Sequence, residues 1–179
     1  IAYSLHDQIR LITLSLAQTM GKAFSPIAVL STLNRKFQPQ RTGSVFFTIS
    51  FGLIDVRNGE WSLCRAGHSW ALLVEKSGQC STIQGGGMAL GAFDEVVLEE
   101  SRGLLSPGDR LVLCSDGLLE ALSAGSPGDA YGVLSSLARQ HLDDQLPVFT
   151  SAARRLCEQQ GTGLRDDASL LVIEWPGKG

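Results

Sequence analysis

The chain has 179 residues, of which 44% are hydrophobic and 18% are charged, and its formal net charge is −3. This composition is typical of one globular domain with a sizeable core, and it excludes an intrinsically disordered chain. The acidic balance also argues against a general nucleic-acid surface, because such a surface needs an excess of basic residues to displace counterions from phosphates.

The cysteine spacing and the apolar runs indicate the compartment. The four cysteines are far apart and form no CxxC pair, so we predict free thiols without a disulfide or a zinc site, in a reducing cytoplasm. No apolar run approaches the roughly 20 residues that a membrane-spanning helix needs. We also find no signal-peptide pattern. Because the chain begins with Ile1 and not with Met, we expect residues 1–179 to be a C-terminal fragment of a longer chain.

Two amphipathic helices are predicted at the start of the chain. Residues 6–20 place apolar side chains on one helical stripe, and Gly21 follows as a stop signal. Ser25-Pro26 is typical of a helix N-cap followed by proline at the first helical position, and the second helix is predicted to run to about residue 37.

The hydrophobic period then changes from 3.6 to 2, which indicates strands. A strand is predicted over Val45–Ile54, and Asn58-Gly59 predicts a hairpin turn before a return strand that begins at Trp61. Trp70–Val74 predicts a third strand. The middle of the chain therefore favours an antiparallel meander over a series of βαβ units.

Two features between the strands are interpreted as structural elements and not as sites. His68 lies in a glycine-containing corner without a second metal-ligating side chain at ligand spacing, so we interpret it as a corner residue. Gly85-Gly86-Gly87 lacks the GxxxxGK[ST] phosphate-binding pattern, and we interpret it as a flexible loop where close backbone packing is needed. Residues 95–100 are predicted to form the next strand.

The stretch from Leu104 to Leu122 places a carboxylate at the end of a buried strand. Pro107-Gly108-Asp109 predicts a turn, Leu111–Cys114 a buried strand, and the residues from Leu118 onward a helix. Asp116 lies between strand and helix. It is either the N-cap of that helix or a metal ligand at a sheet edge, and this stretch alone leaves both interpretations open.

A second acidic cluster precedes the last predicted strand. Helices are predicted over about 130–140 and 145–160, and Arg165-Asp166-Asp167-Ala168-Ser169 then leads into the strand Leu170–Ile173. If this strand lies beside Leu111–Cys114, the two sets of carboxylates converge, and a hard divalent cation is the usual way to stabilise them. The order of elements predicts an α+β fold with helices packed on antiparallel sheet.

These motifs together resemble a known family. Ser115-Asp116-Gly117 and the Arg165–Ser169 segment resemble two metal-binding motifs of the metal-dependent (type 2C-like) serine/threonine phosphatases. The resemblance is closest to the bacterial, SpoIIE-like branch, whose members regulate sigma factors in sporulation and general stress. It covers about residues 4–174 and includes further segments at 47–53, 55–59, 66–68, 87–91 and 106–109.

The resemblance implies a fold, a metal centre and a class of substrate. The implied fold is an antiparallel β-sandwich flanked by helices, with the N-terminal part of the family's domain missing. Asp116 and Asp166 match the family's carboxylate ligands, and Asp167 matches a supporting position of a centre that holds two Mn²⁺ or Mg²⁺ ions. Such ions generate a hydroxide and clamp the phosphoryl oxygens for in-line displacement. The implied substrate is a phosphorylated regulatory protein, such as an anti-sigma factor antagonist.

One part of the family pattern is altered in this chain. The family has an Asp followed closely by Ser-Gly-His at the entrance to its first helix, whereas here Ala2 stands in place of that Asp and Leu5 in place of the glycine. Three hypotheses remain open. They are a protein phosphatase domain, a catalytically impaired domain of the same fold that docks a partner protein, and an unrelated α+β module whose acidic residues are helix caps.

Overall fold

The computed structural model describes residues 5–21, 24–38, 45–123, 130–159 and 167–177. Within these ranges the chain forms five α-helices and seven β-strands. The helices are α1 (Leu5–Met20), α2 (Pro26–Lys36), α3 (Asp116–Leu122), α4 (Ala130–Gln140) and α5 (Leu146–Gln159). The strands are β1 (Ile49–Ile54), β2 (Glu60–Ala66), β3 (Ala71–Val74), β4 (Cys80–Ile83), β5 (Glu100–Leu104), β6 (Arg110–Cys114) and β7 (Leu170–Glu174).

The strands form two sheets, one in the order β1-β2-β5 and the other in the order β4-β3-β6-β7. β1 pairs antiparallel with β2, and each neighbouring pair of the second sheet is antiparallel. The predicted α+β class with antiparallel sheets is confirmed. No helix among the described residues has the length and apolar character needed to cross a membrane.

The chain divides into two compact units. The first comprises residues 1–55, 60–68 and 85–103, and the second comprises residues 56–59, 69–84 and 104–179. In the first unit, α2 packs on β1 and β2 around a core that includes Val29, Leu30, Leu33 and Cys64, all fully buried.

The N-terminal helices follow the sequence signals. α2 begins as predicted, with Pro26 at its first position and the Ser25 hydroxyl accepting a hydrogen bond from the Ala28 N–H. The Asn34 side chain is buried on the same helix. It donates to the carbonyls of Phe93 and Asp94, and it fixes the loop that precedes β5.

The second unit holds the four-stranded sheet and helices α3, α4 and α5. Its core is formed by apolar side chains of β3, β6 and these helices, including Leu72, Val112, Leu122, Leu134 and Phe149. The predicted helices over 130–140 and 145–160 are confirmed within a residue of their observed ends. All four cysteines are free, and Cys64, Cys114 and Cys157 are buried, as a small apolar side chain is expected to be.

The strand predictions need three corrections. β1 begins at Ile49 and not at Val45, because β2 ends at Ala66, the partner of Ile49, and Phe47 pairs instead with Leu90 as an isolated bridge. The strand predicted over 95–100 begins only at Glu100. The continuous meander was also wrong, since β2 and β3 belong to different sheets and β3 pairs with β4 and β6.

The glycine loop packs closely against β2, as predicted, and the corner histidine contacts a neighbouring side chain. A Cβ atom on Gly87 would lie 2.1 Å from the Arg65 carbonyl oxygen, so only glycine fits there. The Arg65 guanidinium donates to the carbonyls of Gly85 and His68 and ties this loop to β2. The His68 ring lies 3.2 Å from the Thr48 hydroxyl, measured from Nδ1 to Oγ1.

Candidate metal centre

The two strands that carry the acidic motifs are neighbours, as predicted. β6 and β7 pair antiparallel, with Arg110 opposite Glu174 at one end and Cys114 opposite Leu170 at the other. The residues after β6 and those before β7 therefore emerge at the same edge of the sheet. Asp116 and Asp167 both lie at this edge, which we call the acidic edge. Asp166 is outside the described residues.

Asp116 is not the N-cap of α3, so that interpretation of the sequence was wrong. The N-cap is Ser115, whose backbone is extended (φ −78°, ψ 163°), and Asp116 is the first residue of the helix. The Asp116 side chain is exposed, and none of the described residues donates a hydrogen bond to its carboxylate. Within the part of the chain that the structure describes, this carboxylate is solvent-exposed and accepts no hydrogen bond.

Ser115 joins the two acidic motifs directly. Its backbone N–H donates to the Ser169 carbonyl (3.1 Å), its Oγ accepts from the Ser169 N–H (2.9 Å), and the same Oγ donates to the Asp167 carbonyl (3.1 Å). An N-cap serine usually uses its hydroxyl for its own helix, but here the cap makes no side-chain hydrogen bond to α3. The hydroxyl instead forms its hydrogen bonds with the segment that precedes β7.

Sequence reasoning treated Ser115 only as part of a Ser-Asp-Gly motif and missed this role. The signal in the sequence is a hydroxyl residue that ends a buried strand immediately before the candidate ligand. A capping role would have been the ordinary inference from that position, since the helix begins at the next residue.

The donors at the acidic edge fit a hard divalent cation. Exposed carboxylates at strand ends are the ligands that Mn²⁺ and Mg²⁺ prefer, and Mg²⁺ commonly uses one or two carboxylates and retains several waters. Among the described residues, no group of three or more His, Cys, Asp or Glu side chains is arranged to hold a metal ion. The described residues alone therefore form no complete ligand set for a metal ion.

The thiol nearest the acidic edge is not a ligand candidate. Burial raises the pKa of the Cys114 thiol to about 11; a hydrogen bond with Ser69 opposes this rise and the negative charge of Asp116 adds to it. The thiol is therefore protonated at neutral pH. Cys114 is also buried in the core of the second unit, so the exposed donors at this edge are oxygens.

The altered N-terminal motif lies in the first unit. Leu5, which the sequence comparison places at the family glycine, is the first residue of α1 and is exposed, as is His6. Ala2 and Ser4 are outside the described residues. The described part of this segment contains one carboxylate, that of Asp7, which lies in the first turn of α1.

Three solved structures share the fold of this chain. The RsbU and RsbW domains of Rv1364c from Mycobacterium tuberculosis match 96% of the chain with a TM-score of 0.75 and 24% identity, and 47% of that protein is covered. The PP2C phosphatase domain and regulatory fragment of SpoIIE from Bacillus subtilis match 97% with a TM-score of 0.75 and 16% identity, and 50% of it is covered. The SiaA-PP2C domain of Pseudomonas aeruginosa matches 94% with a TM-score of 0.72 and 20% identity, and 68% of it is covered.

These likenesses identify the fold as that of PP2C phosphatase domains. The chain spans about half the length of the first and second of these structures. The family model for Stage II sporulation protein E (SpoIIE) matches residues 9–176, which is nearly the whole chain and includes both acidic motifs. The chain therefore belongs to the SpoIIE family of PP2C-like phosphatase domains.

Proposed function

We propose that residues 1–179 act as one metal-dependent protein phosphatase domain that hydrolyses phosphoserine or phosphothreonine. The observation that carries this proposal is the pairing of β6 with β7, tied by Ser115, which brings Asp116 to the same sheet edge as Asp167 in a chain of the SpoIIE family. Two carboxylate motifs meet where the family likeness would require a metal centre.

The proposed ligands are Asp116 and Asp166, with Asp167 in support. The phosphatase domain of B. subtilis SpoIIE has been studied after soaking with Mn, and RsbX has been solved in complex with magnesium. We infer Mn²⁺ or Mg²⁺ for this chain as well. When bound, such an ion lowers the pKa of a coordinated water and neutralises phosphoryl charge. The chain itself contributes the exposed carboxylate of Asp116 at the start of α3 and the hydrogen bonds of Ser115 to the opposite segment.

The proposed substrate is a phosphorylated regulatory protein of the anti-sigma factor antagonist type, in the bacterial cytoplasm. Support comes from the M. tuberculosis relative, in which an RsbU domain and an RsbW domain belong to one protein. The net charge of −3 favours a protein partner over a nucleic acid, since nucleic-acid surfaces are basic.

The test is Mn²⁺-dependent release of phosphate from a phosphoserine protein of this type, with Asp116→Asn as the variant. Losing a ligand is expected to reduce turnover by more than the roughly 10–100-fold typical of outer-shell partners. Asp143→Asn is the matched control, because Asp143 is an exposed carboxylate in the turn between α4 and α5 that pairs with Lys76. Metal-independent turnover, or equal loss in both variants, would contradict the proposal.

A second candidate is a catalytically impaired domain that docks a regulatory protein. Ala2 and Leu5 favour it, because they replace the Asp and the Gly of the family's N-terminal motif. This candidate predicts partner binding that is unchanged by EDTA and by Asp116→Asn, together with no phosphate release. The phosphatase proposal predicts phosphate release, and it predicts partner binding that EDTA and Asp116→Asn both change.

A further inference from the structure

We infer that Ser115 is a positioning residue for the metal centre, acting through the backbone of residues 167–169 and not by touching metal or substrate. This inference rests on the proposed function, because it assumes that the acidic edge binds a divalent cation. It adds a residue whose part in the site follows from the hydrogen bonds of this chain.

The first step concerns the ladder between β6 and β7. The regular pairing ends at Cys114 and Leu170, and one further backbone bond, from the Ser115 N–H to the Ser169 carbonyl, extends it. Beyond that bond the two segments no longer pair: the one after β6 enters α3, and the other is the acidic segment before β7. Only the Ser115 hydroxyl, among the interactions in the described ranges between residues 115 and 167–169, continues the connection.

The second step concerns geometry. The hydroxyl both accepts from the Ser169 N–H and donates to the Asp167 carbonyl, so it fixes the peptide groups on both sides of Ala168. Asp116 is bonded covalently to Ser115. The position of the Asp116 backbone is consequently coupled to that of Asp167 through one side chain. Metal affinity depends on such support, and loss of an outer-shell partner typically lowers affinity about 10–100-fold.

The third step concerns the helix-capping hydrogen bond that the Ser115 hydroxyl does not form. A serine at this position would stabilise α3 by accepting a hydrogen bond from its first turn, typically by about 1 kcal/mol. The observed hydroxyl makes no such bond. A purely helix-capping serine would show the reverse arrangement, so the observed one favours a role across the acidic edge.

The experiment compares Ser115→Val with Ser115→Thr in the full chain. Valine and threonine have nearly the same shape and both suit the extended backbone at this position, but only threonine keeps the hydroxyl. The control is Ser123→Ala, whose hydroxyl donates to the Glu120 carbonyl at the other end of α3. The measurements are Mn²⁺ affinity by calorimetry with the metal alone, amide hydrogen exchange at Ser169 by NMR, and unfolding in urea.

We expect Ser115→Val to raise the Kd for Mn²⁺ by about 10–100-fold and to speed exchange of the Ser169 amide about tenfold. Ser115→Thr should restore both to within about threefold, and Ser123→Ala should change neither. Faster exchange or lower stability in Ser115→Val with unchanged Mn²⁺ affinity would overturn the inference and leave a structural role only. If the wild-type chain binds no Mn²⁺, both the proposed function and this inference are overturned. If the wild-type chain binds Mn²⁺ and Ser115→Val binds it with the same affinity, only the inference is overturned.

Discussion

Replacing Arg110 by methionine is expected to lower the free energy of unfolding by about 2–4 kcal/mol, because it removes a buried cation that donates three hydrogen bonds. Arg110 is the first residue of β6 and its side chain is only 4% exposed. Its guanidinium donates to the Glu174 carboxylate (2.7 Å) and to the carbonyls of His141 (2.7 Å) and Asp144 (2.6 Å). It thus ties β6 to the end of β7 and to the turn between α4 and α5.

The magnitude follows from these three bonds. A hydrogen bond to a charged group contributes about 1.5–3 kcal/mol, so three such bonds set an upper bound well above the expected loss. The Glu174 side chain is 37% exposed, and water can solvate its carboxylate in the variant, which reduces that part of the loss. The two carbonyls lose their donor in a partly buried setting, and methionine retains most of the apolar contact.

The assay is urea unfolding followed by tryptophan fluorescence and circular dichroism. The free energy of unfolding must depend on urea concentration with the same slope in wild type and variants for a two-state comparison. Arg154→Met is the matched control, because Arg154 is 82% exposed and pairs with Glu158 on the surface of α5. Such pairs contribute only about 0.3–0.5 kcal/mol. A loss below about 1 kcal/mol in Arg110→Met, or equal losses in the two variants, would refute this reasoning.

Three further predictions concern backbone packing, a buried amide and the thiols. Gly87→Ala should lose at least about 2 kcal/mol of stability, because its Cβ would lie 2.1 Å from the Arg65 carbonyl oxygen; an unchanged urea midpoint would show that the loop can move. Asn34→Ala should lose about 2–3 kcal/mol of stability, since Asn34 is 2% exposed and its loss leaves the buried Gly91 N–H without its acceptor and two part-buried carbonyls without their donor; thermal unfolding at wild-type temperature would contradict this. Burial raises the pKa of Cys114 to about 11, so a thiol reagent at about pH 8 should modify Cys80, which is half-buried, well before Cys114. The unfolded chain loses this proton first, near pH 9.0, so the free energy of unfolding should fall as pH rises toward 11. Burial raises the pKa of Cys64 to about 11 as well, so Cys114→Ala should reduce that fall and not abolish it.

Local signals in the sequence determined the elements and their chemistry. Ser25-Pro26 predicted the start of α2, and the apolar runs Leu111–Cys114 and Leu170–Ile173 predicted β6 and β7. These features depend on residues near one another in the chain, such as a cap, a fixed proline φ or an alternating apolar face. The acidic character of the segments beside β6 and β7 was equally plain from the residues themselves.

Only the tertiary structure decided which strands pair and what Ser115 does. The period-2 pattern gives the faces of a strand but not its partner, so it could not separate β2 from β3 into different sheets. It also could not show that the Ser115 hydroxyl binds residues 167–169, because 52 residues of chain separate Ser115 from Asp167. Contacts at that separation depend on how the whole sheet assembles, and the acidic edge exists only once β6 and β7 lie side by side.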